Sequence, residues 1–446
     1  MKTFRIVWLG QLLSLFGSGL TTFALGVWVY QQTGSMTRFA LVLFSGSIPG
    51  VLLLPVAGLL ADRWDRRFTM ILADAGAGVG ALALALMFYS GHVQIGWIYA
   101  LLVFSSSLAT FQRPAYSAAV GQFVSKENLT RANGMVRTAQ AMAQLFSPLL
   151  GGVLLGFLKI GTIVFIDCLS FGIAVLSLLV VRFPALASDG AGLPRQDTWL
   201  KEMTVGWSYL AARRGLLGLM LFLAATNFSA GLANALIQPL ILSIASPRTL
   251  GTVLTLAGIG LLIGSVVMST WGGPKRRILG IFGPVPLAAV GLMLAGFQPS
   301  ITLITIGLFC AFFTLPFTEG STSAIVQSKV DPQVLGRVFA VTHVIAGCMA
   351  PIAYAVAGPL TDRVFEPLMA PGGRLAGTVG AVIGVGKGRG MGLLLMLVGV
   401  AVLLTAAIGY SIPSLRRVEE DLPDALPSVL PALPILPQPI AVLESA

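Results

Sequence analysis

GLLADRWDRR, residues 58–67, sets two acids and three arginines between two long apolar runs, 39–60 and 68–89. Each run holds about twenty residues, enough to cross a ~30 Å hydrocarbon layer at about 1.5 Å per residue. A charged hairpin between two such runs fits a pair of membrane-embedded helices, whose apolar side chains meet lipid while the charges stay in water. Within it, Gly58 lets one helix approach a neighbour closely. Asp62 is an anion able to cap a facing helix N-terminus, and Arg63, Arg66 and Arg67 can hold that acid or meet lipid phosphates.

The pattern around this hairpin repeats along the chain. Of 446 residues, 56% are hydrophobic and only 10% are charged, where a soluble domain needs about 25% charge to cover its surface. Apolar segments are expected as spans at roughly 6–30, 39–60, 68–89, 96–121, 135–158, 161–181, 216–241, 249–271, 278–297, 301–327, 337–360 and 391–412. They lack the ten-residue alternation of a membrane barrel, so they read as helices. The run behind Lys2 and Arg5 continues to about Tyr30 with no small-residue cleavage site, and reads as the first span. With the N-terminus inside, 19 basic residues fall in inner segments and 7 in outer ones, four of the seven in the connection 361–390. That asymmetry predicts two cytoplasmic termini.

The formal net charge of +11 sits in short clusters such as Lys275-Arg276-Arg277, not on a contiguous basic face, so no nucleic-acid partner is expected. The cysteines Cys168, Cys310 and Cys348 lie inside apolar runs and read as packing residues. Residues 182–215 form the longest inner connection. In it Trp199, Met203, Trp207 and Leu210 recur at helical spacing, which predicts an amphipathic interfacial helix. Residues 416–446 form a proline-rich cytoplasmic tail expected to be disordered.

The connection divides the spans six and six, and a repeat supports the division. SAAVGQFVSKENLTRANGM (117–135) and SAIVQSKVDPQVLGRVF (323–339) share small residues, then Val and Gln, then a Lys-bearing loop. Pro148 and Pro351 follow in the fifth and eleventh spans. The expected architecture is an all-α membrane protein of twelve helices in two pseudo-symmetric six-helix bundles, 1–181 and 216–415. Two related halves suit alternating access around a central site.

At this point residues 58–67 resemble the signature loop of the major facilitator superfamily: Gly58, three residues, Asp62-Arg63, then Arg66 and Arg67. Asp65 stands where that family often has a second glycine. The resemblance implies that Asp62 latches the halves near the start of the eleventh span, at Gly336 and Arg337. The equivalent second-half loop, STWGGPKRRIL (269–279), keeps the basic residues and lacks the acid. Gly134, Ala143, Ser147-Pro148 and Gly151-Gly152 resemble the family's antiporter motif, which implies export. VQSKVDPQVLGRVF (326–339), FEPLMAPGG (365–373), IGVGKGRGMG (383–392) and VEEDLPDAL (418–426) resemble its macrolide-efflux and enterobactin-exporter-like branch, which implies efflux of a natural product or drug.

Ionisable residues inside a bilayer are costly and mark function by default. Asp74, Arg113, Glu319 and His343 lie roughly 9–14 Å from the inner ends of their spans at 1.5 Å per residue, Arg137 nearer that surface and Asp167 in the outer third. The family likeness implies a cavity lined by spans one, four, seven and ten, where Arg113 and Glu319 would face each other. Glu319, or else Asp74, is then the expected proton carrier, tuned by Arg113. The first span offers Gln11, Ser14, Ser18, Thr21 and Thr22 but no carboxylate. Asn227, Asn234 and Gln238, with aromatic surface such as Phe313, suit a bulky amphipathic solute. There is no HExxH, GxSxG or metal cluster, and Lys387 in the glycine-rich run 384–390 is followed by Gly, not Ser or Thr. The expectation is a transporter and not an enzyme, monomeric, in a bacterial inner membrane, without cofactor, powered by protons. A lipid or lipid-precursor transporter and an uptake symporter are the alternatives on the same fold.

Overall fold

The computed structural model describes residues 1–54, 56–57, 64–181 and 199–425. Gly58, Asp62 and Arg63 of the hairpin, the stretch 182–198 and the tail 426–446 lie outside the described residues. The first half is built from α1 (Lys2–Thr33), α2 (Met36–Leu52), α3 (Arg66–Ser90), α4 (Ile95–Phe123), α5 (Leu129–Leu154) and α6 (Ile160–Val180). A linker helix, α7 (Trp199–Ala211), leads to α8 (Arg214–Leu242), α9 (Pro247–Trp271), the pair α10 (Arg277–Phe282) and α11 (Val285–Phe297), α12 (Ile301–Lys329), α13 (Pro332–Leu360) and α14 (Arg389–Ser411). No strand occurs among the described residues.

Ten of these segments are long and apolar enough to cross a membrane, α10 and α11 counting as one. The twelve-span reading adds α2 and α5. Met36–Leu52 is shorter, and α5 carries Asn133, Arg137, Gln140 and Gln144 at spacings of four, three and four, a polar stripe that lowers its hydropathy. Both helices pack as members of the first half, α5 against α1 and α2 against α4.

The helix ends are written in the sequence. Gly34, at φ 61°, closes α1 by donating its N–H to the Tyr30 carbonyl at 2.7 Å, a left-handed cap that suits glycine. Asp65 accepts from the Phe68 N–H at 2.7 Å and caps α3, so this departure from the signature pattern has a local role. Ser246-Pro247 opens α9 and Asp331-Pro332 opens α13, each with an oxygen cap followed by proline at the first helical position.

Three segments differ from expectation. α7 docks on α13 as well as presenting Trp207 outward. Leu210 is buried, and Gly206 lies so close to the Arg337 carbonyl and Val341 that a Cβ would collide with them. The tail is ordered as far as it is described, which corrects the expectation of disorder for residues 416–425. Val418 is fully buried, and Glu419 accepts from the N–H groups of Arg277 and Ile278 at 3.1 and 3.0 Å, capping α10. Lys329 reaches the carbonyls of Glu419 and Leu422 at 2.5 and 2.6 Å.

The connection 361–390 is likewise packed. A wide helical turn, Thr361–Phe365, continues α13. Glu366 accepts from the Gly388 and Met391 N–H groups at 3.3 and 3.2 Å at the start of α14. Arg389, 4% exposed, donates to the Gly296 carbonyl at 2.6 Å at the end of α11. One of the four basic residues that weakened the charge asymmetry is therefore a helix-end partner rather than a loop charge.

Candidate functional site

The two halves meet along two helix pairs, α2 with α13 and α5 with α9. Both contacts are tightest toward the face opposite the chain termini. A Cβ on Gly152 of α5 would strike the Pro247 carbonyl, one on Gly251 of α9 would strike the Pro148 carbonyl, and one on Gly358 of α13 would strike the Thr37 backbone. Small residues let helix backbones approach this closely. Near the face that bears the termini, Cβ atoms on Gly134 and Gly336 would meet nothing within 4 Å.

A cavity of about 1160 Å³ lies between these extremes, walled mainly by the first half, with Gln238 of α8 also in its lining. Its lining holds two buried carboxylates, each with its own polar partners. Asp74 of α3 is 2% exposed and accepts from Gln11 Nε2 at 2.7 Å and from Gln112 Nε2 at 3.0 Å. Gln112 Nε2 also donates to Gln11 Oε1 at 2.5 Å, closing a triangle across α1, α3 and α4. Asp167 of α6, 3% exposed, accepts from Ser18 and Ser170 hydroxyls at 3.3 and 3.4 Å, under the gap left by Gly17. Among the described residues, neither carboxylate has a cation bonded to it. Arg113 and Arg137 line the same cavity, both exposed to it and both without an acidic partner among the described residues. A chamber of this size inside apolar helices, with buried carboxylates in its lining, has room for a sizeable solute.

The family comparison agrees with this architecture. The family model described as Major Facilitator Superfamily matches residues 7–355. The chain belongs to that superfamily. Macrolide efflux protein A of Streptococcus pyogenes is 27% identical over 366 residues, covering 81% of this chain and 90% of that one. Enterobactin exporter EntS of Citrobacter koseri is 28% identical over 317 residues, covering 69% and 68%. Among solved structures, a bacterial homologue of the human lysosomal transporter Spinster, inward-facing and unoccupied, superimposes with a TM-score of 0.71 at 13% identity, over 94% of this chain and 98% of that one. The nucleoside transporter NupG gives 0.70 at 11% identity, over 92% and 100%. These two likenesses concern the fold alone.

Within that fold the residues singled out from sequence separate. Asp74, Arg113, Ser147, Pro148 and Gln238 line the cavity. Gly151 packs under Phe23 of α1, and Gly152 sits in the α5–α9 seam. Glu319, on α12, is exposed, has no polar partner among the described residues, and does not line this cavity, so it does not face Arg113 in this state. His343 stacks on Phe339 at 6.2 Å, Phe313 packs on Phe317 at 5.4 Å, and Asn227 returns its amide to the Leu223 carbonyl at 2.8 Å; with Asn234 they lie outside the cavity lining. Arg66 approaches the Ala118 carbonyl at 3.5 Å, while Arg67 donates to the carbonyls of Leu178 and Leu179 at 3.1 and 2.8 Å, so these two tie α3 to α4 and α6 within the first half.

Gln112 and the uncharged members of the α5 stripe, Asn133, Gln140 and Gln144, are not among the residues that the sequence marks. The stripe's helical spacing was a readable signal. Gln112 had none, because its partners lie 38 and 101 residues away.

Proposed function

We propose that this chain is a proton-coupled exporter of a bulky amphipathic natural product or drug, working by alternating access. The observation that chiefly supports this is Asp74, a carboxylate buried in the wall of a large chamber with two amides around it and, among the described residues, no bonded cation. Each glutamine carries both a donor and an acceptor, so the network can serve the carboxylate or, after an amide turns, the carboxylic acid. That is the property wanted of a group that takes up and releases a proton without collapsing its surroundings.

The charge asymmetry puts the termini, and the looser end of the chamber, in the cytoplasm, so the state described is open inward. Residues of the antiporter-like pattern lie in the chamber wall and in the α5–α9 seam, and two relatives are named as exporters. On this reading the protein is a monomer of a bacterial cell membrane, surrounded by lipid and run by the proton gradient without a cofactor. On this reading Asp74, not Glu319, is the carrier, because it borders the chamber that a substrate would occupy.

The test is proton release from the purified protein on adding macrolides, siderophores or lipophilic cations, with Asp74→Asn and Glu319→Gln compared. Release of about one proton that vanishes in Asp74→Asn and survives in Glu319→Gln is expected. Release that survives in Asp74→Asn removes Asp74 from the mechanism, and binding without any release removes proton coupling.

A further inference from the structure

We infer that Asp362 is an outer latch: its carboxylate, carried on the second half, caps the first helix turn of α2 in the first half and holds the chamber shut on the face opposite the termini. This rests on the alternating-access reading, though not on proton coupling or on the substrate.

Every early N–H of α2 is accounted for. The Ser35 N–H donates to Thr33 Oγ1 at 3.2 Å, and the Arg38 N–H to Ser35 Oγ at 3.3 Å. The two between them, Met36 and Thr37, donate to Asp362 Oδ1 and Oδ2 at 3.0 and 2.9 Å, and the Ser35 hydroxyl adds a third bond to Oδ2 at 2.7 Å. A helix start leaves such donors without intrahelical partners and carries partial positive charge, so an anion there is held by both effects. What is unusual is the origin of the anion, 326 residues away in the other half.

The local chain is shaped for this contact. The wide turn Thr361–Phe365 extends α13 by one loosened turn, and such turns frequently mark functional positions. One turn earlier, Gly358 lets α13 lie directly on the Thr37 backbone. Thr361 is fully buried and Asp362 half-buried, so the carboxylate reaches α2 from the rim of the seam, where opening would let in water. Arg363 beside it is exposed and makes no bond to Asp362 among the described residues. For the chamber to open on this face, α2 and α13 must part, and these three bonds must be exchanged for water.

The experiment uses the full-length protein with Cys168, Cys310 and Cys348 replaced by Ser and a single cysteine at the chamber position Gln238. Membrane-impermeant maleimide labelling of that cysteine is followed separately from each face in oriented vesicles, in the background chain and with Asp362→Asn, Asp362→Ala or Ser35→Ala added. Faster labelling from the face opposite the termini is expected, about tenfold for Asp362→Ala and less for the other two, with slower labelling from the terminus-bearing face. Unchanged rates on both faces, or rates that rise equally on both as general loosening would produce, overturn the latch. Should Asp362→Ala fail to insert, Asp362→Asn and Ser35→Ala, which keep the size of the site, decide the matter alone. Absence of substrate-triggered proton release in the parent chain, with the labelling shift intact, would count against proton coupling and leave the latch standing.

Discussion

The Asp74 triangle concentrates the residue-level chemistry. Two amides hold each other and the acid, so removing one leaves a buried charged acceptor short of a partner. Replacing Gln112 by Leu deletes its bonds to both Gln11 and Asp74 and is expected to cost about 1–3 kcal/mol. Thermal unfolding in detergent measures it, and an unchanged midpoint would mean that water takes Gln112's place without loss. Asp74 was legible in the sequence as a carboxylate inside an apolar run. Which carboxylate faces the chamber was not. Asp74 and Glu319 both sit inside apolar spans, but only the packing of α1, α3 and α4 around a common space gives Asp74 its amides. Glu319 projects from a different helix and does not share that space.

Elements bring the halves together by the absence of side chains. Gly152 and Gly251 face each other's strand of backbone across α5 and α9, next to Pro148 and Pro247, and each is tolerated only because nothing projects from it. Gly152→Val introduces a branched side chain where a single Cβ already collides. It is expected to force the seam apart at a cost of about 1–3 kcal/mol, or to shift the protein toward the state open on that face. Transport of any substrate should fall at least about tenfold with insertion unimpaired. Wild-type transport in Gly152→Val would show that the seam is not needed in its present form. The small-residue pattern was visible in sequence, and so was its placement in the fifth helix. Its partner was not, because a helix that packs on α9 and one that packs within its own half carry the same residues.

Across the whole molecule, the segment after α14 belongs to the second half. Glu419 caps α10, Lys329 gathers the carbonyls of the segment, and Val418 fills the space left by Gly215. Glu419→Ala removes an anion from two backbone N–H groups and is expected to lower stability by about 1–2 kcal/mol. A chain ended at Arg417 should lose more. Thermal melting of the two variants checks this, and midpoints equal to the parent would show that the segment rests on the bundle without supporting it. Proline frequency suggested an unstructured tail from 416 onward. For residues 416–425 it misled, because composition does not register that Glu419 lies within reach of a helix start more than 140 residues earlier.

By itself the sequence determined the solvent, the helical class, the division into two halves and the membership of the superfamily. These follow from local properties: the length of apolar runs, the scarcity of charge between them, the caps at helix ends and a spaced signature in one loop. The tertiary structure alone decided which half lines the chamber, which acid stands in its wall, and that Asp362 reaches across to α2. Those are relations between residues tens to hundreds of positions apart. They arise when the lipid-facing and partner-facing sides of each helix are chosen by packing, and that choice leaves no period in the sequence to read.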